Sequence, residues 1–334
     1  RDLHLSIRRQ RQMCIRDRHR GRRRMRAVVI GGTGHIGGHL IPMLVKDGID
    51  VVVVSRGESP MPAGKEWGRI SVVRASYQRG ASQWTQELRA ILKDGDTLID
   101  ILGTDLAATY SAAKDRCAHV INCGSVWMLG TPKVVPFVEA SNTTFWDEGY
   151  KNRWKVIQDV RAESQCSGNP IFTAILPPNI CGPGKIPLDT KGGRSINVHR
   201  SLAAGKEVVL PEGADVLIGP CDAEDIARSF HLAIVKPHRS AGQIFNVGSA
   251  YALAASEFVA TYARIYGVKI PIQRVPWQQF ATKEVPDPGS RYHFEAHMCP
   301  DISKLRLLLG YEPKYTPEQT MWRAVNWMRE QGLI

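Results

Sequence analysis

Three glycines near the start of the chain stand at the spacing that a phosphate-binding turn requires. The apolar run 27–30 is followed by Gly31, Gly34 and Gly37. Each meets a separate demand: a tight turn, close approach of the backbone to a phosphate, and close packing of the next helix on the strand. We therefore predict a dinucleotide site with the pyrophosphate on the N–H groups that begin a helix at 36–46. The predicted contacts are Gly31, Thr33, Gly34, His35, Ile36 and Gly37.

The next apolar run ends at residues that would contact the adenosine end of the dinucleotide. Val51–Val54 predicts a strand, followed by Ser55, Arg56 and Gly57, with Glu58 as the first acidic residue. An acidic residue here hydrogen-bonds the ribose of NAD, whereas an Arg accommodates the 2′-phosphate of NADP. We expect Arg56, with Ser55 as a further donor, to favour NADP. A solvated Arg56 in a protein that binds NAD is the alternative.

Alternating strands and helices must position these residues. Apolar runs occur at 50–54, 70–73, 97–102, 119–123 and 171–176, with helix-length segments at 84–92, 104–117 and 150–167. This alternation predicts a doubly wound parallel α/β sheet. We expect a dinucleotide-binding domain at 25–180, to which parts of the later chain return. A smaller substrate-binding lobe with closing helices is expected at 181–334, with Trp322 and Trp327 in its core.

Charge and cysteine content restrict the classes of protein. Residues 1–24 hold ten Arg against Asp2 and Asp17, a net +8 of the +12 for the whole chain, so residues 25–334 carry only +4. We interpret 1–24 as a non-native or disordered basic arm, with the natural start at Met25. We expect no nucleic-acid partner, although an RNA-binding role for the arm is a third hypothesis. The seven Cys show no Cys-x-x-Cys spacing, which favours a reduced cytoplasm, and no apolar run is long enough for a membrane span.

Several later motifs follow the glycine loop in a specific order. They are Ser125 within 123–130, Pro177 and Asn179 within 177–184, the segments 221–227 and 242–248, and 301–304 leading to 309–313. In these motifs, over about residues 25–330, the chain resembles the extended short-chain dehydrogenase/reductase superfamily, in particular its NAD(P)-dependent epimerase/dehydratase group. The resemblance implies a Rossmann fold, hydride transfer with NAD(P), and a possible homodimer. It also implies that Ser125 hydrogen-bonds the reacting oxygen and that Pro177 and Asn179 lie against the nicotinamide.

The Tyr-x-x-x-Lys motif of that family is interrupted in this chain. In the family the Tyr is the acid or base, and the Lys lowers the Tyr pKa and holds the nicotinamide ribose. Here Tyr150 stands 25 residues after Ser125, but Trp154 takes the fourth position after it and Lys155 the fifth. Positions i and i+5 of a regular helix are about 140° apart, so Tyr150 and Lys155 would face different directions.

Three arrangements remain open for this segment. Tyr150 lies before the first full turn, or the helix contains a local bulge, or Lys151 and Lys155 form the i, i+4 pair while the Tyr function is lost or supplied elsewhere. We expect Ser125, Tyr150 and Lys155 to be catalytic, with Lys155 also holding the cofactor.

The later chain offers candidates for the substrate. Arg194 follows two glycines and could hold an anionic group, and His293 and His297 are four residues apart. Because the two His have no third ligand at a recognisable spacing, we expect no metal site and assign them, with Arg194, to the substrate. In the acidic run 222–225, Asp225 is expected to cap a helix that begins at residue 226.

The resemblance implies an oxidoreductase, epimerase or dehydratase acting on a hydroxyl or carbonyl carbon of a polar small molecule, with a sugar or sugar nucleotide as the candidate substrate. The alternative is a cofactor-binding regulatory protein with a degenerate Tyr/Lys site and no turnover. The irregular Tyr/Lys spacing supports this second reading.

Overall fold

A computed structural model describes residues 25–58, 60–75, 82–103, 105–140, 144–145, 147–213 and 215–334. The predicted basic arm at 1–24 lies outside these ranges. Within them, no helix combines the length and the apolar character that a membrane span needs.

A seven-stranded sheet forms the centre of the molecule. The strands of the chain are β1 (Arg26–Ile30), β2 (Asp50–Ser55), β3 (Ser71–Arg74), β4 (Asp96–Asp100), β5 (Cys117–Cys123), β6 (Ile171–Leu176), β7 (Asn179–Cys181), β8 (Val208–Pro211), β9 (Leu217–Ile218), β10 (Pro220–Asp222), β11 (Gln243–Asn246), β12 (Leu253–Ala254) and β13 (Ile272–Val275). The central order is β11-β6-β5-β4-β1-β2-β3, and every neighbouring pair is parallel. The order reverses at β1, so β1 and β4 flank the crevice where such sheets bind ligands.

Helices cover both faces of the sheet. They are α1 (Gly37–Lys46), α2 (Ser82–Ile91), α3 (Leu106–Ala113), α4 (Glu148–Ser167), α5 (Ile196–Ala203), α6 (Ala223–Val235), α7 (Pro237–Ser240), α8 (Ala255–Tyr266), α9 (Trp277–Gln279), α10 (Pro288–Arg291), α11 (Ser303–Leu309) and α12 (Pro317–Glu330). Successive residues of a strand point to opposite faces: Val29 packs in the layer of α1, α6 and α11, and Val28 in the layer of α2, α3 and α4. The predicted doubly wound α/β class is therefore confirmed.

A third apolar cluster forms a smaller lobe beside the carboxyl edge of the sheet. Its core includes Phe258, Tyr262, Phe280 and Met321, and it contains the strand pairs β8–β13 and β9–β12. The chain passes directly from the sheet into the lobe, because two prolines, Pro177 and Pro178, separate β6 from β7. The predicted core position of Trp322 is wrong, since its side chain is 54% exposed.

The chain returns from the lobe to the sheet at α6 and β11. Helix α6 packs on α1, and β11 forms the edge strand beside β6. The expectation that Asp225 caps α6 is wrong, because the helix begins three residues earlier and Asp222 accepts from the N–H of Glu224 at 2.9 Å. The buried Asp225 carboxylate instead accepts from the N–H groups of Lys314 and Tyr315.

Candidate functional site

The glycine loop joins β1 to α1 at the carboxyl edge of the sheet. Gly31 has a φ of +79°, and the N–H of Gly34 donates to Gly31 O at 3.0 Å. A Cβ on Gly37 would lie 2.2 Å from Gly32 O, so the first turn of α1 is pressed against the loop. The N-cap residue Ile36 makes no side-chain cap hydrogen bond, and the first turn holds no acidic residue. The N–H groups at the start of α1 are thus suited to receive an anion.

A cleft of about 160 Å³ opens beside this loop, between the ends of β1 and β2. Its polar lining comes from Thr33, Ser55, Arg56 and Glu58. Arg56 Nη2 lies 2.8 Å from Glu58 Oε2, and each of these two side chains is 64% exposed. Ser55 Oγ accepts from the N–H of Gly57 at 3.1 Å. Arg56 therefore lines the cleft, where its guanidinium pairs with the carboxylate of Glu58, and its contact with a 2′-phosphate stays a prediction.

A second arginine, Arg74 at the end of β3, stands beside the same turn. The parallel register pairs Ser55 with Arg74, and a Cβ on Gly57 would lie 2.9 Å from Arg74 Nε. Sequence reasoning missed this residue because Arg74 becomes a neighbour of Arg56 only through the pairing of β2 with β3. The usable signal was that the predicted third strand, 70–73, is followed directly by a basic residue.

Ser125 lies just beyond the end of β5. It is the N-cap residue of a 3₁₀ turn at Val126–Leu129, and its Oγ accepts from the N–H of Trp127 at 3.3 Å. The side chain is half-buried. The N–H of Val126 donates to Pro177 O at 3.2 Å, which ties this turn to the segment after β6.

Pro177 and Asn179 are buried at that same edge. Asn179 is 5% exposed, and its amide Nδ2 has no hydrogen-bond partner among the described residues. A buried amide without a partner is costly, so the position suits a donor that contacts a ligand.

Tyr150 lies in the first turn of α4, where its N–H donates to the capping carboxylate of Asp147 at 2.8 Å. The side chain is half-buried and packs with the apolar cluster that contains Val126 and Met128. Burial raises the pKa of the Tyr150 phenol. The nearby Arg153 lowers this pKa, whereas Asp147 and Tyr292 raise it.

The structure does not bring Lys155 to this site. Helix α4 is regular from Glu148 to Ser167, so Lys155 is turned away from the face of Tyr150. Its side chain is 72% exposed, and Nζ lies 2.5 Å from Asp159 Oδ2. Lys151 is also exposed and pairs with Glu148, while Trp154 occupies the inward position and is 8% exposed. The geometry thus contradicts the expected placement of Lys155.

Arg153 is a cation of α4 that sequence reasoning missed. It is half-buried, and its Nη2 donates to Gly103 O at 3.1 Å, beyond the end of β4. The signal was available, because positions i and i+3 share a helix face and Arg153 follows Tyr150 by three.

Tyr292 and His293 form an aromatic wall with Trp127, the second residue after Ser125. The ring centroid of Trp127 lies 5.0 Å from that of His293, at 88°, and 6.4 Å from that of Tyr292. His293 Nδ1 is buried without a hydrogen-bond partner among the described residues. His297 does not share this place: it is exposed, and its Nδ1 accepts from the N–H of Leu217 at 3.1 Å. The structure therefore separates the two histidines that the sequence analysis grouped.

The guanidinium of Arg194 is hydrogen-bonded to backbone carbonyls of the lobe. Its Nη1 and Nη2 donate to Ile186 O and Ile180 O, both at 2.7 Å. Burial, together with the nearby charge of Arg194, lowers the pKa of His35 and of His293 to about 4. Both imidazoles are consequently neutral near pH 7, and each presents one donor and one acceptor nitrogen. In the described ranges, no group of three or more His, Cys, Asp and Glu side chains could hold a metal ion.

The sheet order and the glycine loop at its switch point define a doubly wound protein of the Rossmann type. Comparison with known proteins agrees with that class. No family model matches the chain. UDP-glucose 4-epimerase of Lactobacillus helveticus is 22% identical over 330 residues, which cover 87% of this chain and 93% of that protein.

Solved structures show the same fold. An epimerase of Methanothermobacter thermautotrophicus superposes with a TM-score of 0.72 at 16% identity, over 92% of this chain and 93% of that one. UDP-glucose 4-epimerase of Bifidobacterium longum, in complex with NAD⁺ and UDP, gives a TM-score of 0.69 at 18% identity, over 92% and 99%. The chain thus shares its fold with these epimerases.

Proposed function

We propose that the chain is an NAD(P)-dependent epimerase, dehydratase or reductase that acts on a hydroxyl-bearing or carbonyl carbon of a polar small molecule. The observation that carries the proposal is one arrangement at the carboxyl edge of the sheet. The uncapped start of α1 lies against the glycine loop. Ser125 follows the end of β5, and Tyr150 lies in the first turn of α4.

The glycine loop fits a dinucleotide pyrophosphate. A side chain at Gly37 would meet the backbone of Gly32, and one at Gly31 would lie 2.9 Å from the side chain of Leu102. The loop therefore has a shape that depends on bare backbone, and it offers N–H groups to phosphate oxygens. When bound, the nicotinamide would accept and return a hydride.

Ser125 and Tyr150 are suited to handle the proton that accompanies hydride transfer. Since burial raises the Tyr150 pKa, the phenol is protonated near pH 7 and can donate to a substrate carbonyl oxygen. The hydroxyl of Ser125 can donate to the same oxygen, because its present contact uses it as an acceptor.

NADP is the cofactor that we expect to bind more tightly. Arg56 lines the cleft beside the glycine loop, and Arg74 lies against Gly57 on the other side of the turn. Two guanidinium groups suit a 2′-phosphate. Glu58 opposes this choice, because it pairs with Arg56 at 2.8 Å and would repel the phosphate.

A sugar nucleotide is the substrate class that the comparisons favour, since the Bifidobacterium longum epimerase was solved with UDP. The wall of Trp127, Tyr292 and His293 supports a sugar at this position, because flat rings and neutral polar groups suit a hydroxyl-bearing ring. A homodimer and a cytoplasmic setting are further expectations. Light scattering tests the first, and the free thiols of all six cysteines in the described ranges support the second.

The decisive experiment compares Y150F with Y251F, whose hydroxyl contacts Glu318 outside the site. Binding of NADPH and NADH is measured by fluorescence, and turnover is measured on a panel of UDP- and dTDP-sugars. We expect Y150F to bind cofactor normally but to lose turnover by about 100-fold or more, while Y251F keeps it. Full turnover by Y150F would remove Tyr150 as acid or base. Cofactor binding without redox change on any substrate would instead favour a regulatory protein.

A further inference from the structure

Three consecutive side chains of α4 leave the helix in different directions. Trp154 points into the core and is 8% exposed. Lys155 points to solvent and pairs with Asp159. Arg153 lies between these two extremes, half-buried at the helix surface that faces the end of β4. Because Tyr150 precedes Arg153 by three positions, the two side chains are about 60° apart around the helix axis.

The guanidinium of Arg153 reaches the carboxyl edge of the sheet. Its acceptor, Gly103 O, belongs to the residue that follows β4 by three. Gly103 has a φ of +56°, and a Cβ there would lie 2.1 Å from Cys123 O at the end of β5. Arg153 is therefore hydrogen-bonded to the backbone at the place where β4 and β5 end. Cys123, the last residue of β5, precedes Ser125 by two residues.

A cavity of about 200 Å³ adjoins this hydrogen bond. Arg153, Gly103 and Asn122 are among its lining residues. Asn122 is 2% exposed, and its amide Nδ2 has no hydrogen-bond partner among the described residues. A guanidinium carries five N–H donors, of which Gly103 O accepts one. The cavity thus brings an amide donor and a cation to one place, beside the helix-capping carboxylate of Asp105. Such a lining suits a ligand with hydroxyl groups, which both accept and donate hydrogen bonds.

We propose that Arg153, rather than Lys155, is the cationic residue at the nicotinamide end of the cofactor site, where it faces Tyr150 and donates to the hydroxyl oxygens of the nicotinamide ribose. The inference rests on the proposed function, since it assigns a residue to the same site. It also explains how the chain tolerates Trp154 at the position where the related motif carries Lys.

The electrostatics of Tyr150 agree with this assignment. The groups that face its phenol are Arg153 and Asp147 on or beside α4, and Tyr292 from the lobe. Arg153 is the cation among them, and it lowers the pKa of Tyr150 against the raising effects of burial, Asp147 and Tyr292. When the phenol acts as a base, its phenolate would be stabilised by this guanidinium.

The test uses the full chain and four variants: R153Q, R153K, K155Q and R161Q. Arg161 is the matched control, because it lies on the same helix and its Nε likewise donates to a glycine carbonyl, Gly242 O, at 2.7 Å. NADPH and NADH dissociation constants are measured by fluorescence. Loss of a charge-assisted hydrogen bond predicts about tenfold weaker binding or more for R153Q. R153K should recover most of the loss, whereas K155Q and R161Q should bind as the wild type does.

A second readout needs no cofactor. Tyrosine ionisation is followed by absorbance near 295 nm, and the Tyr150 contribution is obtained as the difference from the matching Y150F protein. The Tyr150 pKa should rise in R153Q and stay unchanged in K155Q and R161Q. The assignment would be overturned if R153Q bound the dinucleotides as tightly as the wild type and its Tyr150 pKa were unchanged. It would also be overturned if only K155Q lost dinucleotide affinity. If the wild type binds neither dinucleotide, the proposed function fails, and a shifted Tyr150 then shows Arg153 as a neighbour of the phenol without a cofactor role.

Discussion

Replacement of Gly37 by Ala tests the glycine loop by adding a single methyl group. Gly37 opens α1, and its φ is not positive, so the backbone conformation itself accepts Ala. In a helix, Ala is favoured over Gly by about 0.5–1 kcal/mol. The new Cβ, however, would lie 2.2 Å from Gly32 O and 2.5 Å from Gly32 C.

The overlap decides which effect wins. A C···O separation of 2.2 Å is roughly 1 Å shorter than a close contact of about 3.3 Å. Both atoms belong to backbone, so α1 must move away from the loop. Overpacking of this kind costs about 1–3 kcal/mol, which exceeds the gain in helix propensity. We expect G37A to lower the free energy of unfolding and to weaken NADPH binding by tenfold or more, since the N–H groups of α1 shift from the phosphate position.

Gly38→Ala is the matched control. Gly38 is the next residue of α1, and an added Cβ would meet no atom within 4 Å. G38A should therefore be as stable as the wild type or more stable, with unchanged cofactor binding. The free energy of unfolding comes from urea titration, and the dissociation constants come from fluorescence. If G37A matched G38A in both quantities, the argument that the loop requires bare backbone at Gly37 would be refuted.

Two further predictions concern charge. R56Q and R74Q should each reduce the preference for NADPH over NADH by about tenfold, and unchanged ratios of the dissociation constants would contradict the assignment of both residues to the 2′-phosphate. For His293, burial lowers the folded-state pKa to about 4 from 6.5; the unfolded chain then binds more protons between these values, and stability falls as the pH drops from 6.5 to 4. The pKa difference corresponds to about 3 kcal/mol of unfolding free energy. H293Q should remove this contribution from the pH dependence of the unfolding free energy. H238Q, a substitution at an exposed position, should leave the pH dependence unchanged. A slope in H293Q equal to that of the wild type would count against the buried neutral imidazole.

The glycine loop and the sheet could be predicted because their requirements are local. The turn requires a glycine at position 31, and the contact of α1 with the loop requires a glycine at position 37. Both requirements appear in the sequence as glycines at a fixed spacing. The β-branched run of β2, buried on both faces, likewise identifies a strand of a parallel sheet.

Helix spacing places Arg153 on the face of Tyr150, and Arg74 directly follows a predicted strand, but the contacts of these two cations could not be predicted in the same way. Helix periodicity correctly indicated that Tyr150 and Lys155 face different directions. The position of Arg153 depends on its acceptor, Gly103 O, which lies 50 residues earlier in the chain. Arg74 likewise comes to lie beside Gly57 only through the β2–β3 register. Such contacts depend on tertiary packing, which spacing along a single element does not encode.

In the lobe, too, spacing along the chain did not predict which aromatic and imidazole side chains lie together. Helical spacing grouped His293 with His297, but the segment forms a 3₁₀ turn at Tyr292–Phe294 and then leaves the helix. The ring of His293 therefore faces Trp127, while His297 bonds to the strand at Leu217.

A crystal structure of the chain with bound NADP⁺ tests the central claim most directly. The account predicts pyrophosphate oxygens within hydrogen-bond distance of the N–H groups at the start of α1. It also predicts that the nicotinamide lies beside Tyr150 and Ser125, with the guanidinium of Arg153 on the ribose. A dinucleotide bound away from the glycine loop, or a nicotinamide directed away from Tyr150, would contradict it.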